Sequence, residues 1–257
     1  MIEEKRIIKL ALTTGKTLLM NGAETYRVED TVKRMLESRD MKNVNVFVIP
    51  TGIIMSTMDD DRLYSYLERV HPAGIDLECI DRINDFSRRF TNSDMSIDDA
   101  EPILQEAMET PKYNALIHFL LSGMAGGFFI FLFGGTFQEF VLSYIASSLT
   151  VFVYDFLTRK SVNFFVKNIL SGAFLTMCGV GFTFVARYLG FQADLNMVII
   201  GPLMTLVPGV PLTNGMRDLI YGELLSGSAK IMEALFIAIA IAFGVGIVLQ
   251  LGLNIIG

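Results

Sequence analysis

Residues 201–219, GPLMTLVPGVPLTNGMRDL, limit the fold of this chain more than any other stretch. They are apolar enough to enter a bilayer, yet they carry Pro202, Pro208 and Pro211 among Gly201, Gly209 and Gly215. Proline removes a backbone donor and clashes with the carbonyl one turn earlier, so an uninterrupted helix here is costly. Broken backbone at membrane depth is tolerated only where protein or a water-filled cavity satisfies the freed groups. A segment broken around Pro208, Gly209 and Pro211 that runs on into Thr213, Asn214, Arg217 and Asp218 is therefore a candidate transport site.

Charge divides the chain in two. Residues 1–112 hold 15 Lys/Arg and 21 Asp/Glu, whereas residues 113–257 hold 6 of each, so the first part carries the whole net charge of −6. With 52% hydrophobic residues and a mean hydropathy of +0.48, the expected protein is a membrane protein. Its expected parts are a small cytoplasmic α+β domain over 1–112 and a transmembrane domain over 113–257. The acidic first domain argues against nucleic acid as a partner, because phosphate binding wants a basic patch. Two cysteines and two histidines lie far apart in no metal-binding pattern, so neither a metal, a cofactor nor a disulfide framework is expected. The N-terminus lacks the apolar core and cleavage site of a signal peptide, which leaves the first domain on the cytoplasmic side.

Within that domain, Ile7, Ile8, Ala11, Leu12, Gly15, Leu18 and Leu19 recur at helical spacing, and Asn21-Gly22 is a stop signal. A second helix fits residues 24–39 with Val28, Val32, Met35 and Leu36 on one face. Strands are expected over 44–49, 52–58 and 62–70, the last two joined by a solvated Asp59-Asp60-Asp61 turn. His71, before Pro72, reads as a loop residue. Helical period returns over 76–90 through Cys79, Ile83, Phe86 and Phe90. Ser96 and Asp99 resemble a capping box that opens a last helix ending near Glu109.

The second part reads as an all-α bundle of five transmembrane helices, over about 115–135, 139–157, 166–188, 195–211 and 231–251, the fourth of them proline-broken. Arg159, Lys160 and Lys167 in one loop and Arg217 and Lys230 in another place those loops and residues 1–112 in the cytoplasm. If the fourth segment is re-entrant, four crossings remain. Gly123 with Gly127, and Ala238 with Ala242 and Gly246, are ridges for close helix packing inside the bundle. Tyr144, Tyr154, Tyr188 and Tyr221 are expected at the interfaces. Glu139, Arg187 and Asp194 fall at helix ends, where side chains snorkel to water. Asp155 sits one turn inside its span and is a candidate to carry protons or face a cavity. Arg217 offers a fork matched to a carboxylate, against the plainer reading that it pairs locally with Asp218 or Glu223.

Residues 15–29, GKTLLMNGAETYRVE, residues 50–52, Pro-Thr-Gly, and residues 201–227, GPLMTLVPGVPLTNGMRDLIYGELLSG, resemble in order the motifs of the threonine/serine exporter family. The resemblance implies export of threonine, serine or a carboxylate such as succinate across a bacterial plasma membrane. It marks Gly22, Glu24, Thr25, Arg27, Glu29, Pro50, Thr51 and Gly52 as the soluble motif; the plain reading of Glu24 and Arg27 is helix capping and an i,i+3 ion pair on the second helix. With a soluble domain and five spans, the chain resembles the larger protein of the two-protein form. A smaller membrane subunit of that family, or a second copy, is the implied partner. No nucleotide motif is present, so an ion gradient, with protons the expected ion, would drive transport. The alternatives are a sensor or gating subunit, and a membrane-anchored hydrolase built on 1–112, which lacks a motif such as GxSxG.

Overall fold

The computed structural model describes residues 2–59, 62–110 and 114–256. It is mostly helical with one three-stranded sheet. Contacts divide it into two units, Met1–Pro111 with Val210–Met232, and Lys112–Gly209 with Glu233–Gly257.

The first unit opens with α1 (Ile2–Met20) and α2 (Thr25–Glu37), followed by β1 (Asn45–Ile49), β2 (Gly52–Asp59) and β3 (Arg62–Arg69). The strands form an antiparallel meander in the order β1-β2-β3, in the register Ile49↔Gly52 and Gly52↔Arg69. Strand side chains alternate between faces. Val48, Ile53 and Met55 therefore enter the core, while their neighbours Phe47 and Ile54, with Leu67 beside them, stay exposed. Asp60 and Asp61, in the expected acidic turn, lie outside the described residues. Helices α1 and α2 pack on the sheet, and two more helices, α3 (Leu77–Thr91) and α4 (Ile97–Met108), pack on α1 and α2 and on each other. Val28, Val32, Met35 and Leu36 of α2 meet Ile83, Phe86 and Phe90 of α3 in one buried cluster. Each such fully buried side chain stabilises the unit by roughly 1.5–3 kcal/mol. Gly15 lets α1 approach closely, since a methyl there would meet Val32 and Ile53. Arg39 ties the end of α2 to the end of α3 by donating to the carbonyls of Phe90, Ser93 and Met95 and lying 4.1 Å over the Phe90 ring.

The stop after α1 is a Schellman turn. Gly22 N–H donates to Leu19 O and Ala23 N–H to Leu18 O, with Gly22 at φ +90°. An L side chain is strained at that angle, which is why glycine stands there. At the start of α4, Ser96 Oγ accepts from Asp99 N–H and also donates to the Asp99 carboxylate. That second bond replaces the backbone arm of a true capping box.

In the second unit α5 (Ala115–Leu132), α6 (Phe137–Arg159) and α7 (Phe164–Tyr188) are each long and apolar enough to cross a membrane, as is α10 (Leu224–Ile256), whose first residues belong to the first unit. The expected fourth span is two helices, α8 (Leu195–Leu206) and α9 (Gly209–Ile220), bent by 54° at the break, so the described residues hold four membrane-capable helices, or five with the bent pair. Gly123 and Gly127 both face α6, against Tyr144 and Phe140. The α10 ridge differs from expectation. Ala238, Ala242 and Gly246 are exposed, while Ile241 and Gly244 on the adjacent face pack on Gly172 and on Ile169 and Ala173 of α7. On a helix apolar all round, small residues recur on several faces, and spacing alone does not select among them.

Glu139 also departs from expectation. It is 6% exposed and does not snorkel. It forms a capping box with Thr136 and accepts the Asp194 N–H at 2.9 Å, tying the start of α6 to that of α8. Arg187 and Asp194 are exposed.

Gly22→Ala is expected to lower stability by about 1–2 kcal/mol through left-handed backbone strain. The check is a fall in the melting temperature of the detergent-solubilised chain, and an unchanged melt would remove the Schellman glycine from the account.

Candidate functional site

Residues 22–26, five in a row, are each engaged by α9, by Tyr221 just past its end or by the start of α10. Gly22 O accepts from Asn214 Nδ2 at 2.9 Å, and Ala23 O from Lys230 Nζ at 3.2 Å. Glu24 Oε1 accepts from Arg217 Nη1 at 2.7 Å. Thr25 N–H donates to Asp218 Oδ1 at 3.1 Å. Tyr26 stacks on Tyr221, with ring centroids 4.1 Å apart and 15° between planes. Beside them Ser226 Oγ donates to Val48 O of β1.

The reason lies in helix periodicity. Asn214, Arg217, Asp218 and Tyr221 stand at i, i+3, i+4 and i+7, which is one face of a helix. The turn at 22–24 and the first residue of α2 present carbonyls, a carboxylate and an N–H on that side. The two ends carry complementary chemistry. Thr25 is the first residue of α2, and its N–H has no partner inside the helix. Glu24 is the N-cap but makes no side-chain cap. Asp218 supplies the missing acceptor, and its negative charge suits the positive end of the helix dipole. Glu24, released from capping, turns to Arg217.

Asp218 is fully buried, and its counter-charge Lys230 is 12% exposed at 2.9 Å. That contact is an ion pair outside the angular range of a directed hydrogen bond; Lys230 directs its hydrogen bond to Ala23 O. Glu24 is also buried, and its second oxygen lies 3.3 Å from Arg27 Nη1, so two guanidinium groups flank one carboxylate. Burial pushes the Glu24 carboxyl up, but its own backbone N–H, the Arg217 hydrogen bond and the charges of Arg27 and Arg217 hold it below the usual glutamate value. The carboxylate therefore stays charged at a pH where an ordinary glutamate is half protonated. Glu29 goes the other way. Burial and the charges of Glu223 and Asp218 raise it against the pull of its hydrogen bond from Val48 N–H. Tyr26 is raised by burial and by the Glu24 charge.

The structure thus gathers Gly22, Glu24, Thr25, Arg27, Asn214, Arg217 and Asp218. Arg217 pairs with Glu24 and not with Asp218 or Glu223, and Tyr221 stacks on Tyr26, where an interfacial anchor was expected. Pro208 and Gly209 lie at the break, and Pro211 sits in the first turn of α9, where its missing N–H leaves no bond unmade. Thr213 Oγ1 donates to Val210 O. Pro50, Thr51 and Gly52 shape the β1–β2 hairpin, with Thr51 O accepting from Val70 N–H. Asp155 belongs to the other unit. There His118 Nδ1 lies 3.0 Å from Asp155 Oδ2, both lining a cavity of about 120 Å³ with Phe119, Phe152 and Arg159. Residue reasoning missed Lys230, Tyr26, Ser226 and His118 as site residues. The i, i+3, i+4, i+7 spacing would have found Tyr221 once α9 was accepted as a helix, whereas nothing local marks Lys230 as the partner of Asp218.

Lys230→Met should leave the Asp218 charge buried with one hydrogen bond, lowering stability by about 3 kcal/mol. Thermal melting of the solubilised protein checks this, and the Asp218→Asn/Lys230→Met double variant should recover part of the loss.

Residues 9–252 match the sequence profile of the family described as "Putative threonine/serine exporter". The "Probable succinate transporter subunit YjjP" of Klebsiella aerogenes is 22% identical over 95% of this chain and 93% of its own length. The "Probable threonine/serine exporter" of Mycobacterium tuberculosis is 22% identical over 97% of this chain, which spans 47% of that longer protein. The "Threonine/serine exporter" of Corynebacterium glutamicum is 28% identical over 59% of this chain and 31% of its own length. No solved structure matches the chain. Together with its apolar helices, the match over nearly the whole length means that this chain belongs to the threonine/serine exporter family, a family of membrane transporters and not of enzymes.

Proposed function

We propose that this chain is one subunit of a secondary exporter that moves threonine, serine or a related carboxylate such as succinate out across the bacterial inner membrane. The observation that carries the reading is the meeting of residues 22–26 with α9, because it sets Arg217, half exposed, in a cluster of charges at the end of the second half of a broken membrane-capable segment. In this reading residues 1–112 are cytoplasmic, the pair α8–α9 forms the fifth, broken crossing, and Arg217 takes the solute's carboxylate. Thr213, Asn214, Pro208 and Gly209 are the further pathway residues of this reading. The length shared with the Klebsiella protein, named as a subunit, supports a smaller membrane partner; a second copy of this chain is the alternative.

Arg217→Gln is expected to reduce efflux of labelled threonine, serine or succinate at least tenfold at normal membrane abundance, in cells that also express the smaller subunit. Undiminished efflux of whichever solute the wild type exports would sink the reading.

Coupling to protons finds its support in His118 and Asp155. His118 is the one ionisable residue of α5, and it faces the carboxylate of α6 in a cavity that Phe119, Phe152, Phe156 and Arg159 also line. Ionisable pairs in membrane helices mark proton relays. Asp155→Asn should abolish the dependence of efflux on an imposed pH gradient while solute exchange across vesicles persists. A retained gradient dependence would move coupling elsewhere.

A further inference from the structure

Glu24 occupies a position that a solute's carboxylate would fit. Its two oxygens are divided between two arginines, Oε1 with Arg217 Nη1 at 2.7 Å and Oε2 with Arg27 Nη1 at 3.3 Å. One arginine comes from α2, the other from α9. The carboxylate is 6% exposed, whereas the guanidinium side chains are 44% and 59% exposed. A guanidinium has five N–H donors, and each arginine gives one nitrogen to Glu24. Their remaining edges are suited to a second carboxylate in the forked geometry arginine prefers.

We propose that Arg27 and Arg217 form a carboxylate clamp in which Glu24 is the built-in occupant. A solute bearing a carboxylate competes with Glu24 for the two arginines, so loading releases Glu24 from Arg217. The inference rests on the exporter reading of Arg217 and adds to it Arg27, the competitor and the exchange. The remaining charges around the clamp are committed elsewhere. Asp218 is bound to Thr25 N–H and Lys230, Lys230 also to Ala23 O, and Glu29 to Val48 N–H. Glu24 is thus the one carboxylate held by the two half-open arginines. The stacked Tyr26 and Tyr221 stand beside it, Tyr26 two residues after Glu24 and Tyr221 one turn after Arg217, just past the end of α9. Because Glu24 is covalently tethered, a free carboxylate displaces it only when further contacts add to its own affinity. An empty clamp therefore stays closed on Glu24, which makes the contact autoinhibitory as well as a site.

The test uses the full chain in nanodiscs, with succinate and L-threonine as probes and L-threoninamide as a control without the carboxylate. Glu24→Gln should bind at least one carboxylate-bearing probe ten or more times tighter than wild type, with threoninamide unchanged. Adding Arg27→Gln should remove that gain. A folded Glu24→Gln chain that binds both probes no more tightly than wild type overturns the proposal. A second measurement needs no variant. Phenylglyoxal labelling of the wild-type chain, mapped by mass spectrometry, should fall at least threefold at Arg27 and Arg217 when a probe is added, and stay constant at the exposed Arg34 and Arg89. Unchanged labelling of Arg27 and Arg217 with both probes likewise overturns it. Loss of efflux in Arg217→Gln together with either negative result leaves the exporter reading standing and removes the clamp.

Discussion

The grip of α9 on residues 22–25 is the contact that holds Val210–Met232 to the N-terminal part of the first unit. Asp218 is a charge removed entirely from water. An isolated carboxylate in that position would be several kcal/mol unfavourable. It is tolerated because three things meet on it: the ammonium of Lys230, the orphan N–H of Thr25 and the positive end of the α2 dipole. None of these comes from its own helix turn. Asp218 can be buried only if α1 stops where it does, so that the N-terminus of α2 starts at Thr25. The Schellman turn at Gly22 sets that point, and the same turn offers the carbonyls that Asn214 and Lys230 take up. A backbone choice at one glycine thereby sets the register of the whole contact.

Much of the first unit was legible because its elements are half-buried. An amphipathic helix or a strand with one wet face writes its period into the sequence, as Val28, Val32 and Met35 do for α2 and as the Val48/Phe47 alternation does for β1. The apolar helices wrote their existence but not their contacts. Glu139 shows why. At the level of composition it is a charge near a helix end, and such charges usually reach for water. Its burial depends on Thr136 three residues before it, which is readable as a capping box, and on the Asp194 N–H, which is not. The α10 ridge failed for a related reason: Ala238 and Ala240 are equally small, and only the position of Gly172 decides which side packs.

The site was half legible. Arg217 and Asp218 stood out because charges after a proline-broken apolar segment are unusual. Their partners did not, because 193 residues separate them from Glu24 and Thr25, and no local pattern encodes such a pairing. The charge count that orients the helices also treats Arg217 and Lys230 as loop cations. In the fold each faces a buried carboxylate, so neither is a free surface charge of the kind that the positive-inside rule weighs. The orientation argument therefore leans more on Arg159, Lys160 and Lys167, which cluster at the facing ends of α6 and α7.

The two ion pairs that cross this contact differ in a way that suits transport. Breaking the buried pair of Asp218 and Lys230 would strand a charge, at roughly 3–5 kcal/mol, so it acts as a permanent fastening. The arginines around Glu24 are half exposed, and an exposed pair is worth about 1 kcal/mol or less. Glu24 itself is buried, which places its bond to Arg217 between these limits. A contact of that strength holds the clamp closed at rest, yet lies within reach of a solute that brings its own carboxylate and a few further hydrogen bonds. Adjacent residues on one helix turn thus divide the work, Asp218 fixing α9 to the start of α2 and Arg217 remaining free to change its anion without loosening that attachment.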